Sequence, residues 1–396
     1  MGQTTVSGTL DRDAIGALGP ADFRSARLEA FDRYLAIPEP TERSEGWRRT
    51  DLRGLDLSPA GPKRAEFAAR VDVEDARRGA VVSAFGDAIP PQAAADLKRI
   101  TTGLSTGRYS AIAQATWQSG AYVLIPDGFV GAAPIDIDWK SGPYPRLHVF
   151  VGKNTRVSIV ERHAQAERFA SGVVDLVLDD GAHLTYGHIQ DAPRDAIVFS
   201  HQRAHIGRDA KLVTLNFAIG GRLSRADVEV ELRGQGAESD MLGLVFGEND
   251  QQFDFHTLQG HRAPDTRSDL LFKSALDDRS HSTYTGVISI GKDAPRSEAY
   301  QANRNLLLSD GARADTEPKL EILIDDVARC THGATIGPVD DEQLFYLRSR
   351  GLDPDTAARM IVEGFFQEVF HKVGDERVTA GLAEMVAPHV GRLGAR

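Results

Sequence analysis

The spacing of apolar residues changes twice along this chain, from a helical period to a strand period and back again. Near the N-terminus five apolar residues recur at helical spacing: Phe23, Ala30, Phe31, Tyr34 and Leu35. They predict a helix that ends before Pro38 and Pro40, because proline has no N–H for the helix to use. A shorter helical pattern over residues 63–71 predicts a second helix.

From about residue 118 the apolar period becomes two. Short runs rich in Val, Ile, Leu and Phe follow one another, among them 121–127, 146–152 and 212–221, and each is closed by Gly, Asp or Asn. This composition is typical of β-strands. No helical pattern separates the runs, so a sheet built from strand–helix–strand units is not expected.

Small turn pairs precede several of the predicted strands: Gly181-Ala182, Asp209-Ala210, Gly236-Ala237, Asp293-Ala294 and Gly311-Ala312. The first three pairs are roughly 27 residues apart, which is in the range of solenoid repeats. A parallel or mixed β-helix is therefore the first choice for the fold. An ordinary β-sandwich is the alternative.

The C-terminal pattern is helical again. Asp340 or Asp341 is placed to cap a helix that ends at Gly351, and Asp353 with Pro354 begins a second helix. The second helix has one predicted apolar stripe: Ala357, Ile361, Phe365 and Val369. We expect the two helices to form a hairpin that covers the end of the solenoid, because a solenoid end needs a cap.

The chain is therefore predicted to be mainly β, with three regions. These are a mostly helical N-terminal region (1–117), a β-helix core (118–335) and a C-terminal helical region (336–396).

The composition of the chain limits the kinds of partner and the compartment that we expect. Of 396 residues 26% are charged and the net charge is −11, which argues against nucleic acid as a partner. The single cysteine excludes an internal disulfide and favours a reducing compartment. No apolar run approaches the roughly 18 to 20 residues that span a membrane, and residues 1–16 lack a signal-peptide pattern. We expect a cytoplasmic protein with no membrane partner.

Two motifs suggest enzymatic or nucleotide sites. Residues 286–292 match the letters of a phosphate loop, but Asp293 follows them and the intervening residues are strand formers, so we expect no bound nucleotide. The acidic pairs Asp179-Asp180 and Asp325-Asp326 could belong to a polysaccharide enzyme, and they also suit turns at strand ends. A β-helix polysaccharide lyase or hydrolase therefore remains an alternative.

The histidine pairs do not predict a metal site. His201 and His205 would share a face about 13 Å apart, given the rise per residue in a strand. Two further pairs are spaced by five residues and would point to opposite faces: His183 with His188, and His256 with His261. We expect all of these histidines to be polar wall residues.

Cys330 and His332 lie two residues apart, so in a strand they project to the same side. A thiolate and an imidazole there could ligate iron or accept sulfur. An iron–sulfur cluster needs about four such ligands, so a partner would have to supply the others. The alternative is an inert, buried cysteine beside a hydrogen-bonded histidine.

Three stretches resemble the SufB/SufD family of scaffold proteins for iron–sulfur cluster assembly by the SUF system. Residues 299–350 look like the family's signature, residues 254–291 like the segment before it, and residues 45–52 (EGWRRTDL) like a motif of SufD-type members. SufB-type chains carry several cysteines, so the single cysteine makes this chain most similar to SufD.

The resemblance implies a right-handed β-helix whose edge pairs with that of a SufB-like paralogue. It also implies that a transient iron–sulfur cluster forms at that junction, with His332 as the leading ligand and Cys330 as the second. The C-terminal helices would dock a SufC-like ABC ATPase. The implied docking residues are Asp340, Asp341, Gln343, Leu344, Phe345, Tyr346, Arg348 and Arg350.

The function expected from the resemblance is that of a scaffold subunit that is not an enzyme. The chain would pair with a SufB-like partner, or with itself when that partner is absent. A homodimeric scaffold without metal chemistry is the remaining alternative.

Overall fold

The strands of this chain wind into a β-solenoid of about seven turns. The computed structural model describes residues 10–19, 21–86, 107–164 and 167–390. Sheet 1 contains, in spatial order, β1 (Glu66–Arg70), β4 (Ile135–Ser141), β6 (Arg156–His163), β8 (His183–Gln190), β10 (Lys211–Ala218), β12 (Glu238–Gly247), β14 (Arg267–Leu276), β16 (Ser297–Leu307) and β18 (Val327–Pro338). Sheet 2 contains β17 (Arg313–Ile322), β15 (His281–Ile290), β13 (Gln252–His261), β11 (Leu223–Leu232), β9 (Ile197–Ile206), β7 (Phe169–Leu178), β5 (Arg146–Val151), β3 (Gly120–Ile125) and β2 (Val81–Phe85).

From β3 to β18 each strand pairs in parallel with the strand one turn away, as Lys211 of β10 does with Glu238 of β12. Alternate side chains point into the space between the two sheets, the lumen, while the others point outward. In β10 Leu212 belongs to the internal apolar cluster, whereas Val213 packs on the outside. The predicted β-helix is confirmed, and the parallel pairing excludes the sandwich.

One corner of the solenoid carries a column of left-handed residues, one per turn, whose φ angles lie between 53° and 72°: Asn154, Gly181, Asp209, Gly236, Asp265 and Arg296. Each backbone N–H donates to a carbonyl in the next turn, as Gly181 does to Arg208. Three of the predicted turn pairs lie on this corner, with their alanines buried. Glycine, aspartate and asparagine recur here because they tolerate the left-handed conformation.

The N-terminal region supplies both helices and strands. Its helices are α1 (Arg12–Ala17), a 3₁₀ turn (Ala21–Phe23), α2 (Arg24–Ala36), α3 (Val73–Arg77) and α4 (Arg108–Thr116). The helix predicted before Pro38 is confirmed as α2. The helix predicted over 63–71 is wrong, because residues 66–70 form β1, which pairs antiparallel with β4. Residues 1–9, 20 and 87–106 of this predicted region lie outside the described residues.

The C-terminal helices are α5 (Asp341–Ser349), α6 (Pro354–Val373), α7 (Glu376–Thr379) and α8 (Leu382–Val390). Asp340 and Asp353 accept backbone hydrogen bonds as the predicted caps, and Gly351 has a φ of 89°. In the stripe of α6, Ala357 and Val369 are buried as predicted. Its other buried positions are Ala358, Val362, Phe366 and Val373, whereas Ile361 and Phe365 are only partly buried.

The C-terminal helices do not cover the end of the solenoid, so the predicted capping role is wrong. The apolar side of α6 packs along the outer face of sheet 1, against residues such as Leu244 and Leu271. The physical reason is that these outward positions are apolar, so packing the helices there removes apolar surface from water. Within the described residues no helix is both long and apolar enough to cross a membrane.

Candidate functional site

The last two strands leave one end of the solenoid open. β17 is hydrogen-bonded only to β15, and β18 only to β16, among the strands of the described ranges. Neither strand has a buried residue, in contrast to β15 and β16, which precede them. A free strand edge of this length presents unpaired N–H and C=O groups that another chain can pair with. We call the surface formed by β17 and β18 the open end.

Cys330 and His332 both lie on β18 and point toward the lumen. In the register of the sheet Cys330 lies beside Ala299 and His332 beside Gln301, and both neighbours are buried inward-facing residues. The structure therefore brings the predicted pair to one side of one strand, at the mouth of the lumen. Their role as cluster ligands remains a prediction.

The two side chains differ in chemistry. Cys330 is half-buried and packs against the apolar residues Ile288, Ile290 and Ala294. Burial raises the pKa of the Cys330 thiol, so the thiol is less ready to bind metal as a thiolate. His332 is exposed. These environments favour His332 as the first ligand.

Apolar side chains surround the mouth of the lumen. Leu320 and Ile322 of β17 and Ile336 of β18 are between 41% and 46% exposed, and Leu323 is 61% exposed. In a longer solenoid such inward-facing side chains would be covered by the next turn. An exposed apolar cluster beside two free strand edges is typical of an interaction surface.

The lumen behind the open end is polar. Gln301, Asn303 and Asn305 follow one another along β16, and all three face inward and are buried. Gln259 of the facing sheet donates to Ser268 and to the carbonyl of Tyr300. Deeper in the lumen the lining becomes apolar, with a belt formed by Met241, Phe253, Phe255, Phe272 and Tyr284.

The predicted docking residues lie on α5 and its flanks, and α5 has no buried residue. Phe345 is 74% and Tyr346 55% exposed, which is unusual for side chains of this size. A groove of about 630 Å³ separates α5 from α6 and is lined largely by apolar side chains, including Leu347 and Met360. Docking by these residues remains a prediction.

The EGWRRTDL motif fastens the N-terminal segment to the outer face of sheet 2. Trp47 packs edge-on against Tyr109 and Phe199, and the guanidinium of Arg225 lies 4.2 Å above its ring. The hydroxyl of Thr50 donates to Asp254 at 3.0 Å. The motif therefore has a structural explanation that does not involve catalysis.

The other sequence motifs fall in ordinary strands and turns. Residues 286–290, which match the first part of a phosphate loop, lie within β15. Asp180 accepts a hydrogen bond from the backbone N–H of Arg208 at a corner. His201 and His205 lie on the outer face of sheet 2, where Asp227 and Glu231 lie near them.

One cluster was not predicted from the sequence. Glu161, His163 and His188 meet inside the lumen, because β6 and β8 lie side by side. Glu161 and His188 are 27 residues apart, which is the spacing of the turn pairs, so the solenoid period could have revealed their contact. The spacing of histidines within one strand could not have revealed this contact.

The chain is similar to proteins of one known family. The family described as "SUF system FeS cluster assembly, SufBD core domain" matches residues 137–365. An iron-sulfur cluster assembly SufBD family protein of Mycobacterium bovis is 32% identical over 377 residues, 91% of each chain. The iron-sulfur cluster assembly protein SufD of Escherichia coli is 29% identical over 252 residues, which cover 62% of this chain and 58% of that protein. The family match includes β17, β18 and α5.

Proposed function

This chain belongs to the SufBD family of the SUF iron–sulfur cluster assembly system, and from that membership we propose that it is a SufD-like scaffold subunit without turnover of its own. In this proposal it pairs through its open end with a SufB-like paralogue. A transient iron–sulfur cluster is the cargo of the pair, shared between His332, with Cys330 beside it, and ligands of the partner. A SufC-like ABC ATPase docks on α5.

The observation that carries the proposal is the open end itself. Two free strand edges, an exposed apolar mouth and the pair Cys330 and His332 occur together on β17 and β18. A second solenoid of the same kind would continue both sheets and cover Leu320 and Ile336. It would also bring its own side chains to the mouth, which supplies the ligands that this chain lacks.

The link between the docking helix and the cluster site is a set of ion pairs on the outside of sheet 1. Glu368 of α6 lies 2.7 Å from Lys273 of β14 and 2.8 Å from Arg304 of β16. β16 is the strand that pairs with β18. A movement of α5 and α6 driven by the ATPase would therefore reach the strand beside Cys330 and His332.

The experiment is co-expression of this chain with a SufB-like and a SufC-like protein, followed by cluster assembly in the purified complex. We expect Leu320→Lys to abolish pairing with the SufB-like partner, because it places a charge in the apolar mouth. Glu321→Lys is the matched control, since this residue points outward on the same strand. Equal loss of pairing in both variants, or in neither, would contradict the proposed interface.

The second variant separates cluster chemistry from pairing. His332→Ala is expected to leave the complex intact and to lower the rate of cluster assembly about tenfold or more, as loss of a metal-binding group does. Thr331→Ala, on the opposite side of β18, is the control and should assemble clusters normally. Normal assembly with His332→Ala would show that the histidine is not a ligand.

A homodimer is the second candidate, because the same open end can pair with a second copy of this chain. Gel filtration of the chain alone, compared with Leu320→Lys, distinguishes the two states. A dimer that dissociates with Leu320→Lys and does not exchange with the SufB-like partner would favour the homodimeric scaffold.

A further inference from the structure

The lumen holds a cluster of potential metal ligands far from the open end in sequence. One ligand atom each from Glu161, His163 and His188 lies within 4.8 Å of the others, and all three residues are buried. Glu161 and His163 lie two apart on β6, and His188 lies beside Glu161 on β8. The rings of the two histidines are 4.7 Å apart between centroids.

The carboxylate is held in place by neutral groups. Nε1 of Trp139 donates to Oε1 of Glu161 at 2.6 Å, and the hydroxyl of Tyr186 donates to Oε2. Such hydrogen bonds orient a carboxylate that binds metal and are a regular feature of metal sites. Among the contacts of Glu161 in the described part of the chain, none is a lysine or arginine. A buried carboxylate that has imidazoles beside it and no lysine or arginine among these contacts suits a bound cation, because neutral imidazoles can bind the same ion.

The two histidines present ring nitrogens to the space between Glu161 and Ser200. Nε2 of His163 is buried and lies 3.1 Å from Oε1 of Glu161, in an orientation that gives no hydrogen bond. Nε2 of His188 lies 3.3 Å from the hydroxyl of Ser200, across the lumen. Neighbouring ligands around one ion are about 3.3 Å apart when each bond is about 2.0 to 2.1 Å. Separations of up to 4.8 Å would therefore have to shorten by up to about 1.5 Å, a movement that two side chains can share.

We propose that Glu161, His163 and His188 form a buried site for one divalent transition-metal ion, Zn²⁺ or Fe²⁺. Two imidazoles and one carboxylate match the ligand preference of these ions. Ser200 or a water completes the coordination. The ion would be a resident of the fold that joins β6 and β8 inside the lumen, distinct from the cluster cargo proposed at the open end.

The test is metal analysis of the full chain purified from medium supplemented with Zn²⁺ or, anaerobically, with Fe²⁺. Supplementation during expression is needed because the site is enclosed once the solenoid has folded. Four proteins are compared: the wild type, Glu161→Gln, the double variant Cys330→Ser/His332→Ala, and His261→Asn as a control for a buried lumen histidine without a carboxylate neighbour. Circular dichroism verifies that each is folded.

The expected result is one equivalent of metal in the wild type, in the double variant and in the control. Glu161→Gln, which keeps the size of the side chain, should lose metal about tenfold or more. Growth with Co²⁺ should give the visible absorption of a nitrogen- and oxygen-ligated ion in the proteins that retain metal.

Two results would overturn the proposal. One is a folded wild type that contains no stoichiometric metal under any of the three conditions. The other is retention of metal by Glu161→Gln, or its loss only in the double variant, which would place the ion at the open end. The proposed function is tested separately, by pairing and cluster assembly in the complex, so failure of the Glu161 site does not decide it.

Discussion

The lumen contains histidine near both of its ends, but the two sets have opposite environments. In the first turns Glu161, His163 and His188 are enclosed by both sheets. Burial alone would raise the pKa of Glu161, but His163 beside it and the hydrogen bond from Tyr186 lower it to about 2, while burial lowers the pKa of His188 to about 3. The carboxylate is therefore ionised and His188 neutral at physiological pH.

At the open end, other inward-facing positions of sheet 1 carry Cys330 and His332. Here no further turn covers the side chains, so His332 is exposed and Cys330 is half-buried. The comparison teaches that one repeat pattern yields two kinds of site. In a covered turn the polar side chains are held by their neighbours within the chain, whereas in an uncovered turn they remain accessible from outside.

The largest expected effect concerns the apolar belt between the two ends. Phe272 is 2% exposed, and its ring lies 5.4 Å from those of Phe255 and Tyr284. Phe272→Ala should lower the free energy of unfolding by about 3 to 5 kcal/mol, because it leaves a cavity in a packed core. Urea denaturation followed by circular dichroism measures the change.

The control for the belt is the same substitution at an exposed site. Phe345 is 74% exposed, so Phe345→Ala should change the stability by less than about 0.5 kcal/mol. Equal effects at the two positions would mean that the lumen is not packed as described.

The next largest effect is expected when histidine is replaced by alanine at the two ends of the lumen. His188→Ala should cost about 2 to 3 kcal/mol, because it removes a buried ring and leaves polar neighbours unpaired. His332→Ala should stay within about 0.5 kcal/mol, because the residue is exposed. Both are measured on metal-free protein by thermal unfolding. A large loss with His332→Ala would show that the open end is ordered by its histidine.

The smallest effect concerns pH and the outer face of sheet 2. Burial by itself would raise the pKa of Asp227, but its hydrogen bond with His201 and the charge of Arg225 lower it below the usual range. A carboxylate with a lowered pKa stabilises the fold above its unfolded-state pKa of about 4, and this stabilisation is lost as the pH falls further.

Asp227→Asn should therefore cost about 1 to 2 kcal/mol at pH 7, and this cost should begin to decrease below pH of about 4 and keep decreasing as the pH is lowered further. Denaturation at a series of pH values tests this. Asp209→Asn, an exposed corner residue, is the control and should shift the curve little at any pH. A cost for Asp227→Asn that does not change with pH would assign its role to packing.

Particular residues show how far the sequence could be interpreted. The turn pairs at 181, 209 and 236 predicted the solenoid, because a left-handed corner restricts the residue types that fit it. The caps Asp340 and Asp353 were predictable because each side chain accepts a hydrogen bond from a backbone N–H two or three residues further along the chain. β1 was mistaken for a helix, because a short strand at a sheet edge takes its conformation from pairing with β4.

The sequence by itself determined the family, the strand period and the candidate pair on β18, since these depend on residues close together in the chain. The tertiary structure decided three further points, although the 27-residue period of the turn pairs could have pointed to the third. It placed α6 along the side of sheet 1, left β17 and β18 uncovered, and brought Glu161, His163 and His188 together. The physical reason is that burial and contacts between turns depend on the register of strands some 27 residues apart, which no local pattern encodes.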